Sequence, residues 1–348
     1  MSAYITVCKA SDLLKITCFC LKAPPHKDRL TALCGIALNY QKLKTKSQEV
    51  KQMDENITSI QWFPGHMTKT KRKIEAQLKL VDAVAVLLDA RVPYSSCNPD
   101  LRSIINNKPR LAILNKCDMA DAAETKKWLA ALKAKGIAAI ALDCKTGKGM
   151  NTFIPAVKNV LSDKLSAWKA KGMTGRTIKV MVVGIPNVGK SSFINRLAGQ
   201  TRAKAEDRPG VTRGNQWFTV GKGFDLLDTP GVLWPKFDDK LVGEKLAYIG
   251  SVRDEVLDAE HLAGRLLLYL RDRYPEMLCT RYKLTEEDIC EKQGYEILER
   301  IGKKRGMLLS GGEINTERAA STVLDEFRGA VIGKITLDKT EEHYDIRI

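Results

Sequence analysis

Short apolar runs alternate along the chain with longer stretches in which apolar residues recur every three or four positions. Residues 83–88, 110–114, 137–142, 178–183 and 224–227 are the short runs, each the length of a buried strand. The spacing between them predicts helices over about 122–135, 151–165 and 192–197. A basic amphipathic helix is expected over about 68–80, with Lys69, Lys71, Arg72 and Lys73 crowding its first turns. Strands alternating with helices imply an α/β fold with a parallel, doubly wound sheet. After about Gly243 the strand pattern stops, and 262–269, 286–301 and 316–327 carry helical periodicity instead. The expected layout is an N-terminal extension (1–56), an α/β domain (57–242) and a small, mainly helical C-terminal domain (243–348).

Composition sharpens this layout at two points. The chain of 348 residues carries a formal charge of +16, which favours a polyanionic partner such as RNA over a merely solvated basic surface. Residues 1–52 hold four of the nine Cys and only three acids, Asp12, Asp28 and Glu49, while 53–348 keep a charge of +10. That acid-poor start has three readings: a transit peptide, a flexible extension, or upstream sequence not made in the cell. A single Arg and few Ser fit a transit peptide poorly, and Met53, just before the patterned region, favours the last reading. The nine Cys form no C-x-x-C pair, so reduced thiols in a cytosol-like compartment are expected, with the mitochondrial matrix as the alternative. No apolar run reaches the length of a membrane span.

The chemistry concentrates in four motifs. Residues 184–192, Gly-Ile-Pro-Asn-Val-Gly-Lys-Ser-Ser, follow a strand and open a helix, the context of a phosphate-binding loop. Gly184 and Gly189 let the backbone wrap an oxyanion, and the amides of Asn187, Val188, Gly189, Lys190, Ser191 and Ser192 face the phosphates. Lys190 reaches the β and γ oxygens, and Ser191 holds Mg²⁺. Asn115-Lys116-Cys117-Asp118 closes a strand and fits N-K-x-D. An Asp carboxylate there accepts two N–H bonds from a guanine edge, Asn115 braces the pocket, and the Lys116 stem stacks along the base. Asp143 and Cys144 follow the next strand, where backbone amides support the base, although the usual Ser-Ala-Lys is absent. Asp228-Thr229-Pro230-Gly231 fits D-x-x-G: Asp228 meets Mg²⁺ through water, and the Gly231 amide senses the γ-phosphate. Thr212, in a loop between the two phosphate motifs, completes the Mg²⁺ shell.

The guanine motif precedes the phosphate loop, a permuted order that can still build one site at the carboxyl ends of parallel strands. These motifs, with Ile-Gln-Trp-Phe-Pro-Gly-His-Met near the start and Gly-Gly-Glu-Ile-Asn from Gly311, resemble the circularly permuted GTPases of ribosome assembly, and among them the ribosome biogenesis GTPase A family. The resemblance spans about 57–338 and leaves 1–52 unmatched. It implies GTP hydrolysis in a late step of large ribosomal subunit assembly, rRNA binding by the C-terminal helices, release after hydrolysis, and a monomer away from the ribosome. It implies K⁺ at Asn187 beside the phosphates, and it points to His66 as the catalytic residue. The residue after Gly231 is Val232, which cannot orient water. A second class therefore stays open: an RNA-binding assembly scaffold that binds GTP with negligible turnover. A phosphate-loop kinase is disfavoured by Asp118 and by the lack of an acceptor motif.

Overall fold

The computed structural model describes residues 66–105, 108–173, 175–199, 216–221, 223–234, 237, 239–252, 258–343 and 346, without the side chains of 66–70. All fall within one compact unit, Ser59–Ile348. The chain enters on α1 (His66–Leu78) and β1 (Ala83–Asp89), followed by α2 (Pro99–Ile105), β2 (Arg110–Asn115), α3 (Ala122–Ala134) and β3 (Ala138–Ala141). A 3₁₀ turn at Met150–Thr152 leads into α4 (Phe153–Val160) and α5 (Ser162–Ala170). Then come β4 (Ile178–Gly184), α6 (Lys190–Ala198), β5 (Gln216–Thr219) and β6 (Phe224–Asp228). Helices complete the chain: α7 (Lys240–Tyr248), α8 (Ala259–Arg273), α9 (Pro275–Tyr282), α10 (Glu286–Ile289), α11 (Gly294–Lys304) and α12 (Thr316–Arg328).

The sheet order is β3-β2-β1-β4-β6-β5. Successive residues of its strands face opposite sides, and both sides are covered. Ala85, Leu87, Val180 and Val182 pack with Phe153 and Phe193. Val84, Val86, Met181 and Val183 pack with Ile74, Trp128 and Leu132. Burial on both faces explains why these strands read as unbroken apolar runs. The register aligns Asp89 with Asn115 and Leu87 with Gly184, and pairs Val182 with Asp228. The motif residues therefore share the carboxyl edge of the sheet, where the winding reverses between β1 and β4.

The sheet is not wholly parallel, because β5 runs antiparallel to β6 at the edge. Only Phe218 of its four residues is buried, and a tight turn through Gly221 and Gly223, both at positive φ, makes the pair a hairpin. The helix expected over 151–165 is interrupted at Leu161, and that over 286–301 at residues 290–293. The expected division at 242/243 falls inside α7. Beyond α12 the chain returns to the sheet domain: Leu337 N–H donates to Arg91 O (2.7 Å), Trp128 Nε1 donates to Asp338 O (2.9 Å), and Ile346 lies in the apolar cluster of Ile74 and Trp128. No helix among the described residues is long and apolar enough to cross a membrane.

Candidate functional site

The phosphate loop leaves β4 at Gly184 and enters α6 at Lys190. Gly189 sits at φ 97°, and a Cβ there would collide with the Asn115 carboxamide. The buried Lys190 curls back over the loop, with Nζ 2.7 Å from Ile185 O and 3.3 Å from Gly184 O. Burial lowers its pKa to about 8, opposed by Asp228. Ser191 Oγ donates to Asp228 Oδ2 at 3.3 Å. Burial raises the Asp228 carboxyl, opposed by Lys190 and Ser191, and its Oδ1 is buried with no hydrogen-bond partner. Gly231 lies against the loop so closely that a Cβ would sit 2.7 Å from Pro186 N and Cα.

The base side is built onto this loop. Asn115 Nδ2 donates to Val188 O (2.7 Å), while its Oδ1 accepts from Cys144 N–H (3.3 Å). Lys116, held at φ 59°, places Nζ 2.7 Å from Asn187 O and 3.2 Å from Asp89 Oδ2. Cys117 N–H donates to Leu142 O. Asp118 Oδ1 is buried without a hydrogen-bond partner, and burial together with the neighbouring Asp143 raises its pKa. Burial would also raise Asp143, but hydrogen bonds from Thr146 and Lys145 hold it below the usual value. The Asp143 carboxylate thus folds its own loop, accepting from the amides of Lys145 (2.7 Å) and Thr146 (3.0 Å) and from the Thr146 hydroxyl.

Two buried carboxylate oxygens of the site have no hydrogen-bond partner, and each suits a particular ligand atom. Asp118 Oδ1 suits the N–H edge of a guanine, and Asp228 Oδ1, beside the Ser191 hydroxyl, suits the water shell of a hard cation such as Mg²⁺. A family model described as a 50S ribosome-binding GTPase matches residues 179–307. The ribosome biogenesis GTPase A of Bacillus cereus is 48% identical over 285 residues, which cover 81% of this chain and 95% of the relative. The chain belongs to the ribosome biogenesis GTPase A family. The relative of that name from Thermotoga maritima is 31% identical over 284 residues, 81% of this chain and 95% of the relative. The GNP-bound crystal structure of YlqF from T. maritima superposes with a TM-score of 0.55 at 28% identity, covering 78% of this chain and 99% of that one.

Family membership makes the chain order intelligible: strand β2, which carries the N-K-x-D motif, precedes the phosphate-loop strand β4, a circular permutation of the GTPase fold. Val232 is pinned where it cannot act on water. Its N–H donates to Gly184 O (3.2 Å), its carbonyl accepts from Asn98 Nδ2 (2.8 Å), and its side chain is fully buried beside Ile74. His66 is the first residue of α1, and its side chain lies outside the described residues, as does Thr212. The Asn187 amide nitrogen donates to Gly250 O (2.7 Å). Sequence reasoning gave no role to Asp89, Arg91 or Asn98. The strand-ending Asp89-Ala90-Arg91 was the available signal, since a carboxylate and a guanidinium two residues apart at a strand end commonly pair.

Proposed function

We propose that this protein binds GTP with Mg²⁺, hydrolyses it to GDP and phosphate, and acts in a late step of large ribosomal subunit assembly. The observation that carries this reading is the Asn115 carboxamide, which joins the base-reading loop to the phosphate loop through Val188 O and Cys144 N–H. One ligand with a base at one end and phosphates at the other matches that arrangement. Asp118 reads the guanine, aided by Lys116 and Cys117 and by the Asp143–Cys144 loop. The amides of 187–192 and the Lys190 ammonium hold the phosphates. Ser191 and Asp228, with Thr212, hold the Mg²⁺, which when bound neutralises charge on the β and γ oxygens. Gly231 is placed to sense the γ-phosphate, and K⁺ at the Asn187 carboxamide oxygen adds positive charge beside it.

With Val232 in the core, turnover needs another group to orient water, and His66 is our assignment for it. The large-subunit precursor is the partner that stimulates the reaction, and the C-terminal helical part (243–348) binds its rRNA, with release after hydrolysis. The protein works as a monomer away from the ribosome, in the cytoplasm. Multiple-turnover phosphate release with GTP or ATP, in K⁺ or Na⁺, with and without purified large subunits tests this reading. Stimulated, GTP-selective release is expected. GTP binding with no turnover even beside subunits would leave the scaffold reading, which the burial of Val232 favours.

A further inference from the structure

Two separate chains of hydrogen bonds leave the nucleotide loops, and both end on Arg328, the last residue of α12. The first begins at the base reader. Lys116 Nζ lies 3.2 Å from Asp89 Oδ2, and Arg91 grips the same carboxylate through Nε (2.9 Å) and Nη2 (2.8 Å). Nη1 of Arg91 then donates to the Arg328 carbonyl at 3.1 Å, with the guanidinium over the Phe327 ring of α12. The second begins at the phosphate loop. Asn187 Nδ2 donates to Gly250 O (2.7 Å), and Ser251 Oγ donates to Pro186 O (2.9 Å). Gly250 and Ser251 form the turn that ends α7. The Arg328 guanidinium holds that turn, donating Nε to Tyr248 O (3.2 Å) and Nη2 to Ala247 O (3.1 Å).

We propose that Arg328 is a positioning residue for the nucleotide site, setting from α12 the placement of both the phosphate loop and the base reader. The proposal rests on the reading that this site binds guanine nucleotide. Asp89 and Arg91 are at most 2% exposed, so water cannot replace their bonds when the geometry shifts. A planar guanidinium presents its donors in a fixed fork, so it holds the Tyr248 and Ala247 carbonyls in one orientation, which the rotating donors of an ammonium do less well. A ligand that moves α12 must therefore disturb both nucleotide loops, and by reciprocity nucleotide must bias α12.

The test uses the full chain and a fluorescent GDP analogue, with dissociation rate and affinity measured at a temperature where circular dichroism shows the fold intact. Arg328→Ala removes the guanidinium bonds to Tyr248 O and Ala247 O and keeps the carbonyl that accepts from Arg91; it should speed dissociation by about tenfold or more, the scale of two lost part-buried hydrogen bonds. Arg328→Lys should show a smaller change in the same direction. Combining Arg328→Ala with Asn187→Ala should be less than additive, since both act through the Gly250 turn. Unchanged dissociation in both Arg328 variants, beside a wild type that binds GDP, overturns the proposal. A lower melting temperature alone would mark Arg328 as a packing residue and overturn it equally. Should Arg328→Ala fail to fold, Arg328→Lys decides by the same readout. A wild type that binds no GDP would instead overturn the guanine reading on which the proposal stands.

Discussion

Lys190 is the residue whose charge most directly reports on the ligand. Burial lowers its pKa to about 8 in the folded chain, while the unfolded chain keeps an ordinary Lys. Between those values the unfolded state binds the extra proton, so this group makes stability rise with pH above about 8. Phosphates in the loop favour the ammonium and raise its pKa again. GDP binding near pH 8.5 should therefore take up protons, and affinity should fall as pH rises above about 8. Calorimetry in two buffers of different ionisation enthalpy checks this, and equal heats would contradict it. At the base, Asp118→Asn should weaken GTP binding by roughly 1.5–3 kcal/mol and relax discrimination against xanthosine nucleotides. Wild type that binds ATP as well as GTP would remove Asp118 from base reading. His66→Ala should leave GTP affinity nearly unchanged and cut subunit-stimulated turnover by at least about tenfold; full stimulated turnover with intact subunit binding would make His66 a helix-start residue only. At this scale the contiguous motifs were legible, because Asn115, Asp118, Lys190, Ser191 and Asp228 stand in runs whose spacing is local. Asp89 and Asn98 were not. Their roles come from partners far along the chain, Lys116 for one and Val232 for the other.

Among the elements, the segment after β6 is held to the phosphate loop and β4 at three points. Thr229 Oγ1 donates to Val182 O (2.7 Å), Val232 N–H donates to Gly184 O (3.2 Å), and Gly231 touches the Pro186 backbone. A methyl at 231 has no flexible neighbour to push aside. Gly231→Ala should force the segment off the phosphate loop, lowering turnover about tenfold or more while GDP affinity changes less, as expected for a contact made mainly to the γ-phosphate. Phosphate release and GDP titration on one preparation separate the two effects. The strands were readable because each is buried on both faces. Helix ends were harder. Cys290 turns extended, Glu291 takes φ 55°, and Gln293 opens α11 in a reciprocal cap with Glu296, all without breaking the apolar period. The edge strand β5 was missed because it is four residues long and mostly exposed.

For the whole molecule, the basic charge expected to meet RNA divides into two kinds. Lys303, Lys304 and Arg305 are all exposed at the end of α11, but Arg305 also lies 3.4 Å from Glu326 and 5.4 Å from the Tyr282 ring centroid. Replacing Lys303 and Lys304 together by Ala should therefore weaken large-subunit binding and lower the magnitude of its log–log salt slope by about 1.5–2. Arg305→Ala should lower thermal stability and leave that slope nearly unchanged. Binding across a salt series checks both, and an unaltered slope in the double variant would take this end of α11 out of the interface. The change of period near residue 243 was legible, although it falls inside α7 of a single compact unit. The return of the chain after α12 was not, since residues 335–346 are too short and irregular to announce a partner. That return also governs how the protein is made. The base-reading half leaves the ribosome first, and β4, which pairs with β1, follows roughly a hundred residues later, about 5–20 s at ordinary rates of synthesis. The Asp338 contacts with Ser95 and Lys245, and the seat of Ile346, form only after residues 338 and 346 have left the exit tunnel. A nascent chain stalled before residue 338 clears the tunnel would therefore hold every motif of the site and still lack the clasp that closes it.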